Sequence, residues 1–133
     1  MFVSILRQGD FLIASIHAAL DDAELMRFQQ EMIDQIGLYR AHGIIIDIAA
    51  LDVLDSFASS SLLTLARIAK LRGAETVIVG IQPEVAFAIV KLGMSLDVHT
   101  ALDLEEGFAC LERLTSGRRT GESTLGSLPE RER

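Results

Sequence analysis

Apolar positions along this chain switch between a period of two and a period of three to four, and the switches mark out its elements. Residues 2–6 and 11–17 are short apolar runs split by Gln8-Gly9-Asp10, which predicts two strands joined by a tight turn. Asp21-Asp22-Ala23-Glu24 then opens a helix, because an Asp with an acid three residues on favours the free N–H groups of a first turn. Leu25, Phe28, Met32, Ile36 and Tyr39 follow as one buried stripe, with Arg27, Glu31, Asp34 and Gln35 off it. His42-Gly43 breaks that helix. The run from Gly43 to Ile48, apolar apart from Asp47, reads as a central strand covered on both faces.

The same reasoning carries to the end of the chain. It predicts a helix from about 56 to 72 stopped by Gly73, a strand at 76–80, and a helix begun by Pro83 and ended by Gly93. A short strand at 97–100 follows, then a helix opened by Asp103-Leu104-Glu105-Glu106 that carries Leu104, Phe108, Leu111 and Leu114. The order β-β-α-β-α-β-α-β-α predicts one α/β domain, with a central mixed, mostly parallel sheet and about four helices. The domain is expected to span 1–116. From Gly117 the chain is mostly Gly, Ser, Thr, Arg and Glu, which predicts a disordered tail over 117–133.

Charge narrows the partners. The chain of 133 residues carries a formal net charge of −7, and the tail, with four Arg and three Glu, leaves −8 on the domain. Such a surface repels phosphate backbones and anionic headgroups, so nucleic acid and membrane are set aside and a basic protein patch is favoured. The single cysteine, Cys110, excludes an internal disulfide and reads as a small core residue. No apolar run reaches the ~18 residues of a membrane span, and the first residues lack the features of a signal peptide, so a cytoplasmic protein is expected.

Familiar catalytic patterns are missing. There is no G-x-G-x-x-G after a strand, no G-x-x-x-x-G-K-[ST] and no G-x-S-x-G. His17, His42 and His99 stand at no metal spacing, so neither metal nor cofactor is expected. What stands out is the segment from Asp47 to Phe57, which puts Asp47, Asp52 and Asp55 near the C-terminal end of a central strand, the edge where open α/β sheets bind ligands and partners. Acid–base chemistry by these three carboxylates is one reading, although Asp55 is also well placed simply to cap the next helix. Ser56 lies at that helix's N-terminus. At about 100° per residue, Phe57, Ala58, Ser61, Leu62, Leu65, Ile68 and Ala69 fall on the core side. Ser56, Ser59, Ser60, Leu63, Arg67 and Lys70 fall outside, where an exposed Leu63 would hint at an interface.

The strand-end Asp47 and the Asp55-Ser56 pair at the helix start resemble those of the STAS domain family, the fold of sulfate transporters and anti-sigma-factor antagonists. The resemblance runs from about Val3 to Leu114. It is closer still to the RsbS-like stressosome subunits, which carry Asp-Ser-Phe as in Asp55-Ser56-Phe57. The stretches Gly80-Ile81-Gln82-Pro83-Glu84-Val85-Ala86, Leu92-Gly93 and 100–107 agree with that class. The resemblance implies a non-catalytic scaffold that restrains a switch-type serine kinase and is phosphorylated on Ser56, with Ser59 or Ser60 as secondary acceptors. It implies partner contacts through Asp47, Asp55, Ser60, Leu63 and Arg67, self-association, and co-assembly with a paralogous STAS protein bearing an N-terminal sensor domain. The alternative within the family is a free-standing anti-sigma-factor antagonist controlled through the same serine. Phe57 argues against it, since simple antagonists carry Asp-Ser-Ser-Gly.

Overall fold

The computed structural model describes residues 2–91 and 98–123, with side chains to residue 116. A hairpin of β1 (Val3–Gln8) and β2 (Phe11–Ile16) leads to α1 (Asp22–Tyr39), β3 (Gly43–Asp47) and α2 (Ser56–Leu71). Then come β4 (Glu75–Val79), α3 (Pro83–Lys91), β5 (His99–Ala101) and α4 (Leu104–Ser123). The strands lie side by side in chain order, β1-β2-β3-β4-β5. The β1–β2 pair is antiparallel and the other three are parallel, with Leu12 beside Ile44 and Ile44 beside Thr76. This is the mixed, mostly parallel sheet that the alternation of elements predicts.

The alternation of side chains along each strand divides the interior in two. Leu12, Ala14, Ile16, Ile44, Ile46 and Ile78 face α1, α2 and α3, and form the larger core with Phe28, Met32, Leu62, Leu65 and Ile89. Phe11, Ile13, Ile45, Val77 and Val79 face α4, where Leu111 and Cys110 are buried and the rings of Phe11 and Phe108 lie 6.2 Å apart. Burying each of these Leu, Ile and Phe side chains contributes about 1.5–3 kcal/mol. α4 comes so near the sheet that a Cβ on Gly107 would lie 2.7 Å from Val79 Cγ1, so glycine is needed there.

The helix starts follow their sequence signals. Asp21 caps α1 in a full capping box: its carboxylate accepts the Glu24 N–H at 2.7 Å, and Glu24 accepts the Asp21 N–H at 2.8 Å. Asp103 accepts the Glu106 N–H at 2.9 Å at the head of α4. The end of α1 differs from expectation. Its stripe leaves the core one turn early, so Tyr39 is 40% exposed and carries the Arg7 guanidinium 4.6 Å above its ring. The stop is Arg40 in a left-handed conformation (φ 51°), and Gly43 is already the first residue of β3. α4 continues past Gly117 to Ser123, so the first part of the expected tail is helical. The remainder of the tail, Gly93 and Asp97 lie outside the described residues.

Candidate functional site

The C-terminal ends of the parallel strands gather the loops that carry the unusual acids. β3 ends at Asp47, which turns its carboxylate back to accept the Ala49 N–H at 2.9 Å. The loop of residues 48–55 is then held from three directions. Ile48 donates its N–H to the Val79 carbonyl at 3.0 Å, Leu51 and Leu54 are buried, and Gln82 donates its amide N–H to the Ala49 carbonyl at 2.6 Å. Gly80 makes the close approach possible: it sits at φ +78°, and a Cβ there would lie 2.7 Å from the Ala49 Cβ. Asp52 and Val53 project between these anchors, Val53 with 66% of its surface exposed.

The loop delivers the chain into α2 through Asp55, whose extended backbone (φ −80°, ψ 178°) and carboxylate make it the N-cap. Its Oδ1 accepts the Ala58 N–H at 2.8 Å, and its carbonyl accepts the Ser59 N–H at 2.9 Å. Ser56 is therefore the first helical residue, exposed, at the positive end of a helix of 16 residues. Phe57 follows it and is 41% exposed.

Two of the residues assigned to the outward face of α2 lie inside. Ser59 is 2% exposed, and its hydroxyl has no hydrogen-bond partner among the described residues; it borders a small apolar space with Ile48, Leu62, Ile78 and Ile89. Leu63 is 7% exposed. In the other direction, Phe57, on the core side by periodicity, is at the surface. One rotation explains all three. α2 packs on the sheet and against α1, where Gln29 donates to the Ser61 carbonyl at 3.1 Å, and on its other flank Ser59 meets Ile78 and Ile89 while Leu63 borders Thr76 and Val98, so more than half of its circumference is covered. The buried arc extends through Ser59 and Leu63, and the free arc narrows to Ser56, Phe57, Ser60, Thr64, Arg67 and Leu71. Lys70 is exposed beside that arc and pairs with Glu75 at 2.8 Å.

The fold thus gathers Asp47, Asp52, Asp55, Ser56 and Phe57 at one edge of the sheet, with Ser60 and Arg67 running down the helix from it. It sets Ser59 and Leu63 apart from this surface. The pattern of the sequence missed the exposure of Val53 and Phe57, two apolar side chains among the acids; Asp52 before Val53 and Asp55 two residues after it were the available signal. The space beside Asp55 is about 60 Å³ and mainly apolar, bordered by Leu51, Val53 and Leu54. No group of three His, Cys, Asp or Glu able to hold a metal occurs among the described residues. No helix there is long and apolar enough to cross a membrane.

The family model for the STAS domain matches residues 3–107. A solved serine-to-glutamate variant of RsbS from Moorella thermoacetica superposes with a TM-score of 0.76 at 34% identity, over 86% of this chain and 97% of that one. A chain from a structure of the stressosome, described as a signal integration and transduction hub, superposes with a TM-score of 0.69 at 32% identity, over 84% of this chain and 98% of that one. In sequence, the chain is 27% identical over 97 residues to RsbRA of Bacillus subtilis (strain 168), described as an RsbT co-antagonist protein. That match covers 72% of this chain and 35% of RsbRA, so the chain spans about a third of this relative's length.

Proposed function

The chain belongs to the STAS domain family, and from that premise we propose that it is a non-catalytic regulatory scaffold of a stressosome-like assembly. In this reading it binds and restrains a serine kinase and lets it go once Ser56 is phosphorylated. The observation that carries the reading is the placement of Ser56. Its hydroxyl is exposed at the first turn of α2, directly after the capping Asp55 and directly before the exposed Phe57.

That placement supports a switch in physical terms. Phosphorylation adds about −1.5 to −2 charges. The N-terminus of α2 tolerates an anion, so the fold survives the change. Asp47, Asp52 and Asp55 already make this edge acidic, so a partner packed over Val53 and Phe57 meets a dense negative charge where it had met an uncharged hydroxyl. The partner surface fitted to the unmodified state is apolar at its centre and basic around it. Ser60 and Arg67, on the same free arc, extend the contact down the helix. The similarity to stressosome chains supports assembly with other STAS proteins, including a paralogue carrying a sensor domain, and supports a cytoplasmic location.

The test is phosphosite mapping by mass spectrometry after incubation with ATP and a switch-type serine kinase from the same organism. The expected result is near-stoichiometric phosphate on Ser56, absent from Ser56→Ala, with kinase release from the wild-type protein only. Phosphate on Ser60 alone would move the switch by one turn of α2. Kinase that stays bound to the Ser56-phosphorylated protein would refute the release mechanism.

A further inference from the structure

Thr76 carries a buried hydroxyl that the fold does not pair. It stands beside Ile44 in the sheet and so faces the α2 layer. It is 4% exposed, and its Oγ1 has no hydrogen-bond partner among the described residues. An unpaired polar group in the interior costs folding free energy, so a hydroxyl kept there calls for a partner. Thr76 borders a groove of about 410 Å³ between α2 and the β4–β5 side of the sheet, a size within the roughly 300–1,000 Å³ of small-molecule sites. Leu63, Ala66 and Val98 give this groove an apolar wall. Arg67 and Lys70, three residues apart and so on one face of α2, bring two cations to it. Lys70 pairs with Glu75 at 2.8 Å, whereas Arg67 makes no ion pair among the described residues. With His99 neutral, the groove therefore keeps one excess positive charge in a chain whose net charge is −7.

We infer that this groove binds a small organic anion with one carboxylate and a compact apolar body. The carboxylate accepts the Thr76 O–H and pairs with the Arg67 guanidinium, while the body lies along Leu63, Ala66 and Val98. Hydrogen bonds to an ionised group are stronger than neutral ones, so a carboxylate is the partner that best answers the buried hydroxyl. Its single negative charge matches the one excess positive charge of the groove. A dicarboxylate or a phosphate dianion would bring a second charge toward Glu75. A cation would meet Arg67 with a like charge, and a wholly apolar ligand would leave the Thr76 hydroxyl unpaired. The site lies on the C-terminal half of α2, away from Ser56 at the start of that helix, and goes beyond the scaffold reading. Its test needs neither the kinase nor phosphate on Ser56, so the two can fail separately.

Amide-resolved NMR titration of the full chain with octanoate tests it. Saturable shifts are expected at Leu63, Ala66, Thr76 and Val98, with a Kd below about 1 mM, reasonable for a ligand of that size. Octan-1-ol, with the same body and no charge, should bind about tenfold more weakly, and acetate, with no body, should not saturate. Arg67→Gln, at an exposed position, should weaken octanoate about fivefold or more. Thr76→Val keeps the shape and removes the hydroxyl, so it should weaken octanoate by a similar factor while the melt shows a folded protein. Ala66→Phe, at a half-buried position, should fill the groove and abolish the shifts. No saturable binding by the wild type would overturn the inference. So would shifts confined to Ser56 and Phe57, octanol binding as tightly as octanoate, or an affinity indifferent to both Arg67→Gln and Thr76→Val.

Discussion

The Asp55 carboxylate accepts the Ala58 N–H at 2.8 Å and so holds a fixed negative charge at the point where Ser56 enters α2. One residue both starts the helix and sets the electrostatic background of the hydroxyl beside it. Asp55→Ala is expected to cost about 1 kcal/mol of stability by loss of the cap. Asp55→Asn keeps an acceptor for Ala58 and should cost a few tenths at most. Urea titrations of the two variants against wild type separate the cap from the charge. A loss of kinase binding in Asp55→Asn at unchanged stability would assign the charge to recognition.

Ser59 offers a test with the opposite sign. Its buried hydroxyl has no partner among the described residues, so folding loses that group's contacts with water without replacing them. Ser59→Ala should therefore be neutral or stabilising by up to about 1 kcal/mol, seen as an equal or higher Tm. The same burial keeps Ser59 away from a kinase, so no phosphate is expected on it in the folded protein.

Phe57 and Leu63 exchange the roles that helical periodicity assigned to them. Phe57→Ala should change stability by about 1 kcal/mol or less, because much of the ring is already in water. It should nevertheless weaken partner binding by tenfold or more if the ring is an anchor of the interface. Calorimetric titration of the kinase, paired with thermal melts, reads both effects on one preparation.

Leu63→Ala should cost about 2–5 kcal/mol, the range for truncating a buried leucine. Leu63→Glu should cost more, since it buries an unpaired carboxylate. Loss of binding in Leu63→Glu would then reflect unfolding, which a melt of the same sample shows. A Leu63→Glu protein with wild-type Tm would return Leu63 to the surface.

The contrast among these positions shows what the sequence makes legible. Element order, the capping Asp21 and Asp55, and the gathering of Asp47, Asp55 and Ser56 at one edge follow from local rules, because caps and strand patterns act over a few residues. The phase of α2 does not, because a stripe read from one helix assumes a single covering layer. α2 is covered by the sheet below, by α1 on one flank, and on the other by Ile78 and Ile89 beside Ser59 and by Thr76 and Val98 beside Leu63, and this last contact is a tertiary fact that moves Ser59 and Leu63 inward. Tyr39 illustrates the same limit at a helix end: its position in the stripe is right, but α1 there reaches past the core and the ring meets Arg7 instead.

The geometry of the edge rests finally on Gly80, where two loops meet too closely for any side chain. Its φ of +78° is unfavourable for other residues by roughly 1–2 kcal/mol. A Cβ there would also press on Ala49, whose backbone N lies 3.0 Å from that position, and so on the loop that Gln82 anchors. Gly80→Ala is expected to cost about 2 kcal/mol or more, lowering Tm by about 5 °C or more for a domain of this size. The strain falls on residues 48–55, so the N-terminus of α2 should shift with it. Amide exchange at Ala49 and Leu51 should speed up in the variant while that of Ile45 stays slow. Unchanged exchange at Ala49 would mean that the loop holds its place without the glycine, and that Ser56 is positioned by Asp55 and the buried Leu51 and Leu54 alone.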